Sequence, residues 1–230
     1  MCGRYVISQP QLIASTFKVD QASWGSPEAS YNIAPSRSVP VIRSTEQRRE
    51  GLLMRWGMIP FWAKGIPPKV STINARVENL ETAASWRHPW KHSQRCIIPA
   101  NGFYEWHHNE DSSKQPYYIH VKDQPLFGFA GLWDRSTTSE GEVIESCTII
   151  TLPASPFMAE IHNDKAREPA ILATTDIETW LSGSIQEATK TLKAHPDDLL
   201  EAWPVSIRVN TPKNNDVTLL DKQPLIQSNI

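Results

Sequence analysis

Cys2 stands directly behind Met1, so loss of Met1 leaves a cysteine that carries a free α-amine. Two nucleophiles then sit on adjacent carbons. The amine, with an ordinary pKa of about 7.7–8.0, is far more neutral near pH 7 than a lysine ammonium at about 10.4. The thiol, at about 8.5, is intrinsically very nucleophilic. Such a pair traps an aldehyde: the amine forms a Schiff base and the thiol closes a five-membered thiazolidine ring. For an arbitrary chain that begins Met-Cys, the bland reading of position 2 is the better one, so the other residues must raise its odds.

Four further groups have chemical potential. Tyr104-Glu105-Trp106 falls in a strand pattern, where Phe103 and Glu105 face one way and Tyr104 and Trp106 the other. A carboxylate hemmed by aromatics is desolvated and its pKa rises toward acid–base service; the alternative is a solvent-facing Glu on a hairpin. Thr72, Asn74 and Arg76 share one face if their segment is extended. Asn then offers donors and an acceptor and Arg a phosphate fork, against an ordinary polar loop. His162 ends a short apolar segment and is either a general acid–base or a helix C-cap. Arg4, Arg37, Arg55 and Arg76 interleave with Tyr31, Trp56 and Trp62, which suits stacked bases and paired phosphates, or a Trp-rich core with surface arginines. His107 and His108, next to Glu110 and Asp111, read as a solvated turn rather than a metal site.

The elements that must position these groups are short. Strands are expected at Arg4 to Ser8, Val39 to Arg43, Gly51 to Trp56, Cys96 to Pro99, Gly102 to Trp106, Tyr117 to Val121, Pro125 to Trp133, Glu145 to Leu152 and Val205 to Asn210. Helical composition covers Gln9 to Phe17, Val77 to His92 with a break at Pro89, Asp176 to Leu181 and Gln186 to Ala194. Asp20 to Ser38 and Met58 to Val70 read as loops, and the polar end from Lys213 as a frayed tail. The fold class is therefore α+β: a single domain, residues 1–212, with a curved, barrel-like, mostly antiparallel sheet and short flanking helices, then a tail over 213–230.

Composition narrows the function classes. Twenty-three basic and 25 acidic residues leave a net charge of −2, which argues against coating long duplexes by charge alone but permits a local basic groove. No apolar run reaches membrane-spanning length and none resembles a signal peptide. Cys2, Cys96 and Cys147 are odd in number and widely spaced, so neither a disulfide framework nor a zinc site is expected, and the chain reads as cytoplasmic.

Nine segments then combine in order: Met1-Cys2-Gly3-Arg4-Tyr5, Tyr31-Asn32-Ile33-Ala34-Pro35, Arg55-Trp56-Gly57-Met58-Ile59-Pro60, Asn74-Ala75-Arg76-Val77-Glu78, the run from Arg95 to Trp106, Phe129-Ala130-Gly131-Leu132-Trp133, Thr148-Ile149-Ile150-Thr151, Ile161-His162-Asn163 and Val209-Asn210. Together they resemble the SOS response-associated peptidase family from residue 1 to about 212. The resemblance implies a covalent sensor of abasic sites in single-stranded DNA, acting without cofactor or metal as a monomer in the cytoplasm, nucleoid-associated in a bacterium. It implies that the Cys2 amine attacks the sugar aldehyde and the thiol closes the ring. Glu105 would shuttle protons, His162 would aid transfer at the sugar, and Asn74 would orient the cysteine or sugar. Arg4 and Arg76 would hold phosphates, Pro35, Phe61 and Trp62 would press on flanking bases, and Thr151 would contact the strand backbone. Two departures stand out: the residues from Asn163 to Ala166 lengthen the loop after His162, and Phe61 replaces the first of two tryptophans. The competing readings are a cysteine peptidase built on Cys2, His162 and Glu105, and a non-catalytic reader of modified bases.

Overall fold

The computed structural model describes residues 2–45 and 48–225. In chain order its strands are β1 Arg4–Ile7, β2 Gln21–Ala22, β3 Ser30–Ile33, β4 Ser38–Ser44, β5 Arg49–Trp56, β6 Asn74–Arg76, β7 Arg95–Ala100, β8 Gly102–His108, β9 Lys114–Val121, β10 Phe127–Thr137, β11 Val143–Pro153, β12 Arg167–Pro169, β13 Ile171–Leu172 and β14 Leu200–Pro204. The α-helices are α1 Ile13–Thr16, α2 Arg87–Lys91, α3 Pro156–Ile161, α4 Ile177–Ser182 and α5 Ile185–Thr191.

Two sheets form. The first runs β14-β9-β8-β1-β3, all antiparallel. In the second, β11, β10, β7, β4 and β5 are neighbours in that order, and β5 returns to pair with β11 in parallel through Ser146 opposite Arg55 and Cys147 opposite Trp56. That last pairing closes five strands into a ring, which removes the free edges an open sheet would leave. Alternation then sends one set of side chains inward, and Trp56, Phe129, Ile149 and Cys147 are buried in the main core with Tyr5 from β1.

One residue, Asn101, separates β7 in the barrel from β8 in the first sheet. Its side-chain oxygen accepts from Ser8 N at 2.7 Å, its N–H donates to Val6 O at 2.8 Å, and Tyr118 Oη donates to its carbonyl at 3.1 Å. A Cβ on Gly102 would lie 2.3 Å from the Tyr118 ring, so only glycine allows that approach. This corner fixes where β8, and hence Glu105, begins.

The α+β, single-domain, barrel-like reading agrees with this architecture; several segments differ. Asp20 to Ser38 is not all loop, because β2 and β3 lie within it. Val77 to His92 yields only a 3-10 turn at Val77–Asn79 and α2. Pro89 does not break α2: it lies in the first turn, where no backbone donor is needed. Val205 to Asn210 is no strand; β14 ends at Pro204 and Ile207–Asn210 is a 3-10 turn. The segment from Lys213 docks as far as it is described: Leu219 is fully buried, and Asn215 Oδ1 accepts from Tyr31 N at 2.7 Å. No helix among the described residues is long and apolar enough to cross a membrane.

Candidate active site

Cys2 precedes β1 and is fully buried. Asn74 Nδ2 donates to its carbonyl at 2.8 Å, and its thiol points at Arg4 O at 3.8 Å. Asn74 reaches it because β6 runs parallel to β11, with Asn74 opposite Ile149 and Arg76 opposite Thr151. Desolvation pushes the Cys2 thiol far above its usual range, and the charge of nearby Glu105 adds to the effect.

Glu105 is 2% exposed on β8. The alternation holds as read: Phe103 joins the main core beside Tyr5 and Phe129, while Tyr104 packs in a second cluster with Trp106 at its margin. Burial raises the Glu105 carboxyl to about 7. His162 Nε2 lies 3.8 Å from Glu105 Oε2. His162 is 5% exposed and caps the C-terminus of α3, the second of its two readings. Its Nδ1 sits 2.8 Å from Arg167 O, which makes that nitrogen the donor and puts Nε2 on the Glu105 side. Burial lowers the imidazole below its usual value, so it is neutral near pH 7. A carboxyl poised near neutrality beside a neutral imidazole can give and take a proton at working pH.

The helix that presents His162 follows from local sequence. Ser155 caps α3 by accepting from Met158 N at 3.3 Å, and Pro156 occupies the first turn. Beyond His162, Asn163 exchanges two 2.9 Å hydrogen bonds with the His108 backbone, and His107 Nδ1 meets Glu160 O at 2.8 Å. The lengthened loop is thereby tied to β8, and His162 stays at Glu105. An open cavity of about 320 Å³ lies in front of the pair, lined also by Trp106, Asn210 and the basic residues Lys114 and Lys165.

A model of the SOS response associated peptidase (SRAP) family matches residues 1–212. The chain belongs to the SRAP family. It is 39% identical over 229 residues to the abasic site processing protein YoaM of Bacillus subtilis (strain 168), covering 97% of this chain and 99% of that one. It is 31% identical over 219 residues to the abasic site processing protein HMCES of Xenopus tropicalis, covering 82% of this chain and 64% of that one. A crystal structure of a protein from Bacteroides thetaiotaomicron superposes with a TM-score of 0.86 at 29% identity, over 97% of this chain and all of that one.

Of the residues that the SRAP resemblance singled out, Cys2, Asn74, Glu105 and His162 converge. The rest are distributed around them. Arg4 is half-buried and donates to Asn32 Oδ1 at 2.8 Å, Val209 O at 2.7 Å and Asn210 O at 3.2 Å, so two of its five N–H donors staple the 207–210 turn to β1 and a third holds Asn32 of β3. Burial lowers its pKa. Arg76 is exposed at the end of β6. Thr151 is fully buried, and its hydroxyl accepts from Arg167 Nη2 at 3.3 Å. Pro35 is half-buried in the turn before Ser36, whose φ of 72° is left-handed. Phe61 and Trp62 are 47% and 49% exposed and line a groove beside α2, separate from the cavity at Glu105.

Sequence reasoning missed three contributors. Arg167 holds His162 through its carbonyl and bridges Glu78 at 2.5 Å and Thr151 O at 2.6 Å with its guanidinium. Asn32 Nδ2 donates to Val209 O at 3.1 Å, Thr211 O at 3.2 Å and Asn214 O at 2.9 Å. Asn210 Oδ1 accepts from Trp106 Nε1 at 2.8 Å. Asn32 and Asn210 both lie inside the quoted segments, which was the available signal. Among the described residues no cluster of three or more His, Cys, Asp or Glu could hold a metal ion.

Proposed function

We propose that this protein captures abasic sites in single-stranded DNA as a thiazolidine on Cys2, once Met1 has been removed. The carrying observation is Glu105, buried, raised to about 7, 3.8 Å from His162 Nε2 and close enough for its charge to act on Cys2. The names of the B. subtilis and X. tropicalis relatives support the substrate class.

The amine of Cys2 adds to the C1′ aldehyde of the ring-opened sugar. Protonated Glu105 gives its proton to the departing hydroxyl, and water leaves as the C=N bond forms. The thiol sulfur then adds to that carbon, and its proton passes to the nitrogen through Glu105 or His162. One water is lost and nothing is oxidised. Asn74, bonded to the Cys2 carbonyl, fixes the direction of the amine. Lys114, which lines the cavity, Lys165, which lines it beside its ion-pair partner Asp164, and exposed Arg76 are the cations that would meet phosphates. Thiol burial favours this order over a peptidase. A thiolate nucleophile needs a depressed pKa, whereas the Cys2 thiol is raised and waits as a neutral S–H until the imine is presented.

The test is intact mass before and after incubation with an abasic single strand. The expected result is loss of the Met1 mass, then an adduct equal to protein plus DNA minus one water. Cys2→Ala keeps an amine but cannot close the ring, so its adduct should survive denaturation only after borohydride reduction. A stable adduct on Cys2→Ala without reduction would sink the thiazolidine assignment.

A further inference from the structure

α3 is too short to hold itself in place. It has six residues, Pro156–Ile161, and isolated helices shorter than about 12–15 residues are marginal. Its position therefore depends on what grips its ends. At the amino end of any helix the first N–H groups have no partner within the helix. Here every one of them is accounted for. Pro156 has no N–H to satisfy. The Ser155 hydroxyl takes Met158 N at 3.3 Å. Two carboxylates from other parts of the chain take the remaining pair. Glu168 Oε2, on β12, accepts from Ser155 N at 2.8 Å. Asp197 Oδ2, in the 3-10 turn Asp197–Leu199, accepts from Phe157 N at 3.1 Å. Negative charge at a helix amino end is favourable in itself.

The same strand grips the other end. His162 Nδ1 donates to the carbonyl of Arg167, the residue before Glu168. β12 is itself fixed to β11, with Leu152 opposite Glu168 and Pro153 opposite Arg167. One short strand thus holds α3 twice, by a side chain at Ser155 and by a carbonyl at the imidazole. Glu168 is 3% exposed, so loss of its carboxylate leaves Ser155 N unpaired, whereas Asp197 is half-buried. Burying an acid is costly, and an apolar side chain would fill the same place on β12 without that cost. What Glu168 adds is the grip on Ser155. We infer that Glu168 and Asp197 are positioning residues for His162: they fix the amino end of α3 and so set where its carboxyl end holds the imidazole against Glu105. Displacing a reacting group by about 1 Å can cost some 10²-fold in rate, so a loosened α3 is felt at the chemistry. This inference rests on the abasic-capture reading above, in which His162 passes a proton, and adds to it the residues that aim the ring.

The experiment uses the full chain and measures two quantities: the crosslinking rate at saturating abasic single strand, and the affinity for a strand that carries a non-reactive tetrahydrofuran analogue. Glu168→Ala should lower the rate by about 10–30-fold and leave the affinity unchanged. Glu168→Gln, whose amide oxygen still accepts from Ser155 N, should recover most of the rate. Asp197→Ala should lose only about three-fold, because water can take over part of its bond. Each substitution is then repeated in His162→Ala. If the two acids act through the imidazole, neither costs anything further there. A Glu168→Ala loss that persists in His162→Ala overturns the inference. So does a Glu168→Ala or His162→Ala rate equal to wild type, or a Glu168→Gln rate no better than that of Glu168→Ala. If Glu168→Ala does not fold, Asp197→Ala carries the same comparison: a loss that vanishes in His162→Ala supports the inference, and one that persists overturns it. The wild type separates the two readings. If it crosslinks and the losses are independent of His162, only the positioning role falls; if it crosslinks no abasic strand, both fall.

Discussion

The reaction cleft and the α2 groove are built on opposite principles. In the cleft, Cys2, Glu105 and His162 are all at most 5% exposed, and burial moves all three pKa values in the direction that neutralises the group. In the groove, Phe61 and Trp62 stand about half exposed, beside Arg87 and Lys91, which are open to water. Chemistry needs groups whose charge is held in balance by a dry environment. Recognition of a strand needs rings and cations presented to solvent. If that division is right, substitutions in the two places should fail differently: one in rate, the other in affinity.

The largest effect should come from Glu105→Gln, which keeps the shape and removes the proton exchange. The crosslinking rate at saturating DNA should fall about 10²–10³-fold with affinity for a non-reactive strand unchanged. The same variant has a stability signature. An unfolded glutamate ionises near 4.5, whereas folded Glu105 ionises near 7. Between those values the native state holds the extra proton, so its stability falls as pH rises through the window, by ~3 kcal/mol in all. Glu105→Gln should lose that slope. Denaturant midpoints from pH 4.5 to 7.5 that run parallel in the two proteins would show that Glu105 is not held in a dry site.

How much of this was legible in the sequence depended on the range of the interaction. Strand alternation placed Glu105 with Phe103, and both readings of His162 were open from its position at the end of an apolar run. The presence of a helix there was signalled by Ser155-Pro156, a cap and first-turn pair that was not used. What could not be read was long-range pairing. The ring closes through β5 and β11, which meet in parallel from distant parts of the chain. The groove draws on residues 61–62, α2 and Ile185 of α5, so no single segment announces it. Burial was equally hidden: an exposed hairpin Glu and a buried acid have the same local pattern.

An intermediate effect is expected at Arg4, where the comparison can be sharpened. The family resemblance made it a phosphate ligand, yet its guanidinium ties β1 to Val209 and Asn210, and Asn210 reaches on to Trp106 at the cavity. Hydrogen bonds to a charged group contribute about 1.5–3 kcal/mol each. Arg4→Ala should therefore cost roughly 2 kcal/mol of stability and expose residues 207–215 to protease. A variant with unchanged stability and weaker DNA binding would instead place Arg4 among the strand contacts.

The smallest effect should come from Trp62→Ala. Its ring is half exposed, and its indole N–H reaches Ala84 O at a long 3.3 Å, so folding should change by well under 1 kcal/mol. Affinity for a non-reactive abasic strand should fall about five- to ten-fold, the scale of one lost stacking contact. The crosslinking rate at saturating DNA should match the wild type, because no group at Glu105 has moved. This is the reverse of the pattern expected for Glu105→Gln. A Trp62→Ala protein that binds normally but reacts slowly would place this lip in the chemistry, and the division between a dry cleft and a wet groove would not hold.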